Sequence, residues 1–285
     1  MQKNKLIIAG ATGYIGKALC AKSPNDFETI RTSTRGGNDL LGLDFKYPEN
    51  FDYNVVDSKT YVIILGAISS PDVCANQNSY AWNINVSGTK KFIEKILTQK
   101  GRVIFLSSDT IYGDCKEEVD EKFPVNPAGE YALMKSAVEQ KFSNHSLFKA
   151  IRLSYVFSKT DKFTRYLIES AEQKKEVEIF HPFYRSIIHL NDVTEGIISL
   201  INKWHLFPQS IINFGGPENL SRVEFTKNLK ELAIKNLKYR VSQPEDSFFM
   251  NRPRRIAMQS KILEKILERP TRNLRDAIRI EFSSN

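Results

Sequence analysis

A short apolar segment near the N-terminus runs directly into three glycines spaced three residues apart, and this feature constrains the fold most. The segment 5–9 predicts a strand, Gly10, Gly13 and Gly16 follow it, and residues 14–21 predict a helix. Gly10 allows a tight turn, Gly13 admits a pyrophosphate to the backbone, and Gly16 lets the helix pack on the strand. A structural turn that binds no nucleotide has the same pattern. The predicted cofactor contacts here are Gly10, Thr12, Gly13, Tyr14, Ile15 and Gly16.

Further strand-like and helix-like segments alternate along the chain. The apolar run 61–67 predicts a strand buried on both faces, residues 71–99 predict a long helix or a helix pair, and 102–107 predicts another strand. Gly66 and Ala67 end the first of these strands and would leave room for a cofactor. The order of segments predicts an α/β fold: a Rossmann-like doubly wound parallel sheet with a smaller C-terminal α/β substrate-binding lobe.

The predicted division is a NAD(P)-binding Rossmann domain over residues 1–156 and a mainly substrate-binding lobe over 157–285, packed together without a linker. The second part predicts three helices and two brief strands. The helices are expected at 163–174, 191–204 and 221–235, and the strands at 178–180 and 211–214.

The second predicted strand, residues 27–32, decides which cofactor fits. An acid at its end would bind the free 2′-hydroxyl of NAD, but the chain reads Arg31-Thr-Ser-Thr-Arg35 there. Arg31, Ser33 and Arg35 offer donors that suit the 2′-phosphate of NADP. NADP is therefore preferred and NAD stays open, as does the alternative that both arginines are solvated loop charges. Asp44 and Phe45 are expected to flank the adenine.

A tyrosine and a lysine four residues apart are the predicted proton-transfer pair. Tyr131 and Lys135 would share one face of a helix, so the ammonium is expected to lower the pKa of the phenol. Such a tyrosine can act as general acid or base towards a carbonyl or an alcohol. Ser107 and Ser108 end the strand that begins at 102, at the sheet edge where α/β folds bind ligands.

Composition excludes several classes of function. The chain has 285 residues and a net charge of +8, but its basic residues are interleaved with acids, so no nucleic-acid partner is predicted. The longest apolar runs are too short to span a bilayer, which predicts no membrane partner and a cytoplasmic protein. Three scattered cysteines without ligand spacing predict no metal site. The basic segment 251–255 is either a grip for a diphosphate or a surface patch.

Taken together, these motifs resemble the extended short-chain dehydrogenase/reductases that act on nucleotide sugars, a group of the NAD-dependent epimerase/dehydratase superfamily. The glycine motif, Asn85 in the segment 85–89, and the Tyr131–Lys135 pair match the family's motifs in order. Ser108 lies four residues before Tyr112, where the family has its catalytic Ser or Thr. The resemblance implies that Ser108 binds the reacting oxygen, Tyr131 moves the proton, and Lys135 binds the nicotinamide ribose. It also makes Asn85 a cofactor-site residue.

Several stretches are most similar to the dTDP-4-dehydrorhamnose reductase group. That resemblance implies NADPH-dependent reduction of a keto group, at C4, of a nucleotide-diphospho-deoxyhexulose in sugar-nucleotide and surface-polysaccharide biosynthesis. A nucleotide-diphosphate sugar is thus the expected partner, and the resemblance also implies a homodimer. The implied substrate contacts are Asp109, Thr110 and Tyr155 around the sugar, with Arg185 and Arg252 on the diphosphate.

Two alternatives stay open. The segment 184–193 is more similar to 4-epimerases and dehydratases, which leaves a 4-epimerase that retains NAD. Thr110 follows Asp109 where dehydratases of the family usually have Glu, which disfavours dehydration. The second alternative is a non-catalytic relative that binds NADP as a regulatory subunit.

Overall fold

The computed structural model describes residues 3–283. The strands, in chain order, are β1 (Asn4–Ala9), β2 (Phe27–Ser33), β3 (Leu41–Gly42), β4 (Thr60–Ile64), β5 (Arg102–Ser108), β6 (Glu118–Val119), β7 (Phe148–Leu153), β8 (Val156–Phe157), β9 (Glu176–Phe180), β10 (Tyr184–Ser186), β11 (Ile188–His189), β12 (Ile211–Phe214), β13 (Asn219–Ser221), β14 (Lys238–Ser242) and β15 (Ala257–Met258).

The α-helices occupy much of the remaining chain. They are α1 (Tyr14–Ala21), α2 (Pro71–Asn76), α3 (Asn78–Trp82), α4 (Thr89–Thr98), α5 (Glu130–Phe142), α6 (Lys162–Glu172), α7 (Leu190–Asn202), α8 (Arg222–Leu232), α9 (Asp246–Phe249), α10 (Lys261–Leu267) and α11 (Leu274–Phe282). A π-helical segment, Asn83–Gly88, joins α3 to α4. Single 3₁₀ turns lie at Pro48–Asn50, Tyr53–Val55, Asp109–Tyr112 and Trp204–Leu206.

The central sheet has seven parallel strands in the order β12-β7-β5-β4-β1-β2-β3. The chain builds outwards from β1 to β3, then crosses back to place β4 on the other side of β1. This confirms the predicted α/β, Rossmann-like fold. Strand β12 was predicted to belong to the C-terminal lobe, but it pairs with β7, with Ile212 opposite Ile151. The apolar side chains of β12 are buried in this way at the edge of the main sheet.

Side chains alternate along β1 between two hydrophobic clusters. Leu6 and Ile8 face a cluster that includes residues of α1, α7 and α10. Ile7 and Ala9 face the opposite cluster, with residues of α4 and α5. A strand buried on both faces reads as a continuous apolar run, which is why β1 was recognisable from the sequence.

The C-terminal lobe has its own cluster, built from α6, α8 and α11 around β9. Short strand pairs attach it to the first domain, since β11 pairs with β8 and β15 pairs with β6. Within the lobe β14 pairs with β9 and β10 pairs with β13. Among the residues described, no helix is both long and apolar enough to cross a bilayer.

Candidate active site

A crevice of about 650 Å³ opens at the carboxyl ends of β1 and β4. These neighbouring strands are where the strand order reverses, and open α/β sheets bind ligands at such a point. Most of the predicted cofactor contacts line this crevice: Gly10, Thr12, Gly13, Tyr14, Ile15, Gly16, Ser33, Asp44, Phe45, Gly66, Ala67, Tyr131 and Lys135.

The glycine turn has the geometry that a pyrophosphate requires. Gly10 has φ +99°, and a Cβ on Gly16 would lie 2.2 Å from the Gly10 carbonyl oxygen, so both positions need glycine. Gly13 precedes α1, where no side chain caps the helix and no acid occupies the first turn. The first backbone N–H groups of α1 are therefore free to bind an anion. These residues fit a dinucleotide.

The end of the crevice beside β2 is lined by hydroxyls and one lysine. Ser33, Thr34 and Lys46 line it, and Thr32 Oγ1 accepts a hydrogen bond of 3.3 Å from Gly10 N. Asp44 contributes a carboxylate to the lining on this side. Its Oδ1 accepts a hydrogen bond from the backbone N–H of Lys46, two residues further along the chain.

Three predicted cofactor residues lie outside the crevice lining: Arg31, Arg35 and Asn85. Both arginines are exposed. Asn85 is buried and makes two hydrogen bonds of 2.9 Å to the backbone of Ile68. Its Oδ1 accepts from the Ile68 N–H, and its Nδ2 donates to the Ile68 carbonyl oxygen. Because Ile68 lines the crevice, Asn85 acts by positioning it. Lys46 directly follows the Asp44-Phe45 pair but belongs to no recognisable motif, so the sequence did not predict it as a residue of the crevice.

A second cavity, of about 830 Å³, joins the crevice and extends under the C-terminal lobe. Tyr131 and Ser107 line both spaces, so they mark the junction. The Ser107 hydroxyl is buried without a hydrogen-bond partner in the part of the chain described, which leaves it available to a ligand. All the predicted substrate contacts line this cavity: Asp109, Thr110, Tyr155, Arg185 and Arg252.

Of the three predicted catalytic residues, Ser108 lines the second cavity, Lys135 lines the crevice, and Tyr131 lines both. Ser108 is the last residue of β5, and its Oγ accepts hydrogen bonds from Thr110 Oγ1 at 2.9 Å and Thr110 N at 3.2 Å. Tyr131 and Lys135 lie on α5. The Lys135 ammonium lies 5.7 Å from the centre of the Tyr131 ring and donates to the Leu106 carbonyl at 2.7 Å.

Burial decides the acidity of this pair. Burial raises the pKa of Tyr131, with added contributions from Cys74 and Asp109. Burial also lowers the pKa of Lys135 to about 8. The direction for Tyr131 is opposite to the one expected from the sequence, because desolvation of the phenol dominates and the Lys135 ammonium is directed towards a backbone carbonyl. At neutral pH the phenol is protonated and can donate a proton.

Two ion pairs occupy the walls of the second cavity. Arg185 Nε lies 3.6 Å from Asp109 Oδ2, and both residues are buried. Asp109 also accepts a hydrogen bond of 2.9 Å from Ser154 Oγ, while burial raises the pKa of its carboxyl group. Arg252, which lines the cavity, pairs with the exposed Asp72 at 2.5 Å. A third guanidinium, that of Arg222, lines the same cavity, and no sequence motif marked it.

The family model of the NAD dependent epimerase/dehydratase family matches residues 6–215. The chain belongs to this family. It is therefore an extended short-chain dehydrogenase/reductase, as the sequence motifs predicted. A curated relative from Bacillus subtilis (strain 168), named uncharacterized UDP-glucose epimerase YtcB, is 20% identical in a 270-residue alignment that covers 80% of this chain and 82% of that protein.

Solved structures of two kinds share the fold. A dTDP-4-dehydrorhamnose reductase from Bacillus anthracis str. Ames, in complex with NADP, is 20% identical with a TM-score of 0.83, covering 100% of each chain. A UDP-glucuronic acid 4-epimerase from Bacillus cereus, in complex with UDP-glucuronic acid and NAD, is 18% identical with a TM-score of 0.80, covering 98% of each chain. The fold is thus common to reductases and epimerases.

Members of an epimerase/dehydratase family differ in reaction, so the local chemistry must separate the candidates. In this member Ser108 and Tyr131 both offer a hydroxyl to the second cavity. Such a pair can hold a carbonyl or alcohol oxygen and exchange a proton with it.

Proposed function

We propose that this chain is an NADPH-dependent reductase that reduces a keto group, at C4, of a nucleotide-diphospho-deoxyhexulose. The observation that carries the cofactor assignment is the end of the crevice beside β2. Ser33 and Thr34 line it, Lys46 provides a positive charge nearby, and the carboxylate of Asp44 on this side accepts a hydrogen bond from Lys46 N. Hydroxyl and ammonium donors favour a 2′-phosphate, whereas a free 2′-hydroxyl is usually bound by a carboxylate.

Tyr131 is the proton donor in this proposal. Its phenol stays protonated at neutral pH because burial raises its pKa, so it can give a proton to the oxygen of the reduced carbonyl. Ser108 orients that oxygen through its hydroxyl. Lys135, which lines the crevice, binds the nicotinamide ribose. The bound NADPH supplies the hydride.

The second cavity receives the nucleotide sugar. Thr110 lines this cavity beside Ser108, and Tyr155 lines it as well, held by a 2.6 Å hydrogen bond that its hydroxyl donates to Asp161. Arg185 and Arg252 lie along the same cavity and supply positive charge for a diphosphate. A cytoplasmic role in building activated sugars for surface polysaccharide fits this substrate class.

A nucleotide-sugar 4-epimerase that retains NAD is the second candidate. Two similarities support it: the Bacillus subtilis relative is named as a UDP-glucose epimerase, and the chain shares its fold with the Bacillus cereus 4-epimerase. An epimerase returns the hydride to the same sugar and so keeps its cofactor bound, whereas a reductase exchanges NADP(H) at every turnover.

The test is to identify the cofactor and its mode of binding. Purified protein is denatured, the released nucleotide is identified by mass spectrometry, and the cofactor-free protein is titrated with NADPH and NADH. Exchangeable binding with a clear preference for NADPH supports the reductase. Loss of NADPH absorbance with 4-keto-6-deoxy nucleotide sugars then identifies the substrate. Tightly retained NAD⁺ with little preference for NADPH would overturn the reductase in favour of the epimerase.

A further inference from the structure

The second cavity contains an arginine stacked between two aromatic rings. Arg222 is the first residue of α8, and its backbone N–H donates to the Phe183 carbonyl at 2.9 Å. Its guanidinium carbon lies 4.4 Å from the centre of the Phe163 ring and 4.6 Å from that of Phe183. Stacking on rings leaves the N–H donors at the edge of the guanidinium, in its own plane.

Arg222 differs from the other two arginines of the cavity in having no carboxylate partner. Arg185 pairs with Asp109 and donates to two carbonyl oxygens, and Arg252 pairs with Asp72. Within residues 3–283, no carboxylate and no hydrogen-bond acceptor contacts the Arg222 guanidinium. The guanidinium is only partly buried, so its N–H donors remain available to a ligand.

The surroundings of Arg222 are made more positive by its neighbours. Arg185 stacks on Phe183 as well, at 4.3 Å from the ring centre, and Arg252 stacks on Phe248 at 4.9 Å. Burial, together with the positive charges of Arg185 and Arg252, lowers the pKa of Arg222 to about 10, although Tyr155 and Asp161 favour its charged form. An anion placed among these three groups would offset their mutual repulsion.

We infer that Arg222 is the main phosphate-binding residue of the substrate cavity, donating from its guanidinium edge to the diphosphate of the nucleotide sugar. This inference rests on the proposed function, since it assigns part of the same site. Arg185 and Arg252 then contribute charge while remaining tied to Asp109 and Asp72. Phe163 and Phe183 fix the plane of the guanidinium, so little side-chain freedom is lost when the diphosphate binds.

The experiment is calorimetric titration of the cofactor-loaded protein with dTDP, UDP, GDP and CDP, and with the matching nucleosides. The variants are Arg222→Gln and Arg222→Lys, and Arg240→Gln is the control because Arg240 is an exposed arginine of the same lobe. We expect Arg222→Gln to weaken the best diphosphate about 10- to 100-fold, as for loss of hydrogen bonds to a charged group. Nucleoside and NADPH affinities should not change.

The possible outcomes separate the inference from the proposed function. Arg222→Lys should fall between wild type and Arg222→Gln, because the charge is kept and the planar edge is lost. A diphosphate that binds wild type and Arg222→Gln equally would overturn the inference and leave the proposed function intact. If wild type binds none of the four diphosphates, the proposed function itself fails. Melting temperatures show whether each variant is folded. If Arg222→Gln does not fold, the affinity of Arg222→Lys for the diphosphate tests the inference instead.

Discussion

The ammonium of Lys135 lies 5.7 Å from the centre of the Tyr131 ring but donates its hydrogen bond to the carbonyl of Leu106, 2.7 Å away. The hydrogen bond to β5 thus fixes the position of the ammonium close to the tyrosine ring. Lys135 is only 4% exposed, and Glu139 is the acid that favours its charged form. The buried ammonium is expected to lower the stability of the protein, because a buried charge is unfavourable without close compensation.

Replacing Lys135 should therefore stabilise the cofactor-free protein. Burial lowers the pKa of Lys135 from 10.5 to about 8. The cost is felt in full below about pH 8 and fades as pH rises towards 10.5, where the lysine is neutral in both states. Lys135→Met should raise the free energy of unfolding at pH 7 by roughly 1–2 kcal/mol, with the gain shrinking at higher pH.

Urea denaturation at several pH values measures this effect, and Lys91→Met is the control because Lys91 is exposed on α4. A Lys135→Met protein that is less stable than wild type at pH 7, or whose stability difference from wild type stays constant between pH 7 and pH 10, would show that the buried ammonium carries no such cost. Loss of activity in the same variant is expected.

Tyr131→Phe should abolish turnover while leaving NADPH affinity within about twofold of wild type. The substitution removes the only proton that the phenol can donate, and the ring remains to line the crevice. Steady-state rates and fluorescence titration with NADPH measure the two effects. Thr110→Val, which removes a hydroxyl from the same cavity, is the comparison. A fully active Tyr131→Phe enzyme would exclude Tyr131 from proton transfer.

Ser33→Asp should reverse the cofactor preference. Ser33 lines the crevice at the end of β2, and its Oγ accepts a hydrogen bond of 3.1 Å from Gly36 N, which an aspartate can also accept. A carboxylate there repels a 2′-phosphate and can bind a 2′-hydroxyl. We expect NADPH to bind at least about tenfold more weakly, with NADH unchanged or tighter. Ser33→Asn, which adds similar bulk without charge, should alter the ratio little.

The Asp109–Arg185 pair should show strong coupling in a double-mutant cycle. Among residues 3–283, Asp109→Leu leaves the buried Arg185 guanidinium with only the Tyr184 and Pro253 carbonyls as acceptors, and should cost about 3 kcal/mol. The double variant Asp109→Leu/Arg185→Leu should be less destabilised than the sum of the single variants by more than about 1 kcal/mol. Additive unfolding free energies would mean that the two charges do not stabilise each other.

The glycine turn and the Tyr131–Lys135 pair were predictable because each depends on spacing along one local element. Three glycines specify a turn whatever surrounds it, and residues four apart meet on any helix. The strand β12 was assigned to the wrong part of the molecule for the converse reason. A four-residue apolar segment does not specify which sheet it joins. Its position beside β7 depends on contacts with residues about 60 positions away in the sequence.

The arginines illustrate the same limit at the level of side chains. Arg31 and Arg35 were predicted at the cofactor from their position in sequence, yet both are exposed and lie outside the crevice lining. Arg222 was not predicted at all, since α8 is remote in sequence from Phe163 and Phe183. Only the packing of the lobe against the sheet brings these groups together.

By itself, the sequence determined the parallel α/β fold and the glycine turn of the cofactor crevice, and it predicted the three residues that we propose for the reacting centre. These features follow from local backbone preferences and from hydrophobic periodicity, which short segments encode. The tertiary structure alone decided the acidity of Tyr131, the partners of Arg185 and Arg252, and the unpartnered state of Arg222 within the described chain. Burial and long-range pairing set those properties, because desolvation and charge depend on every element that surrounds a group.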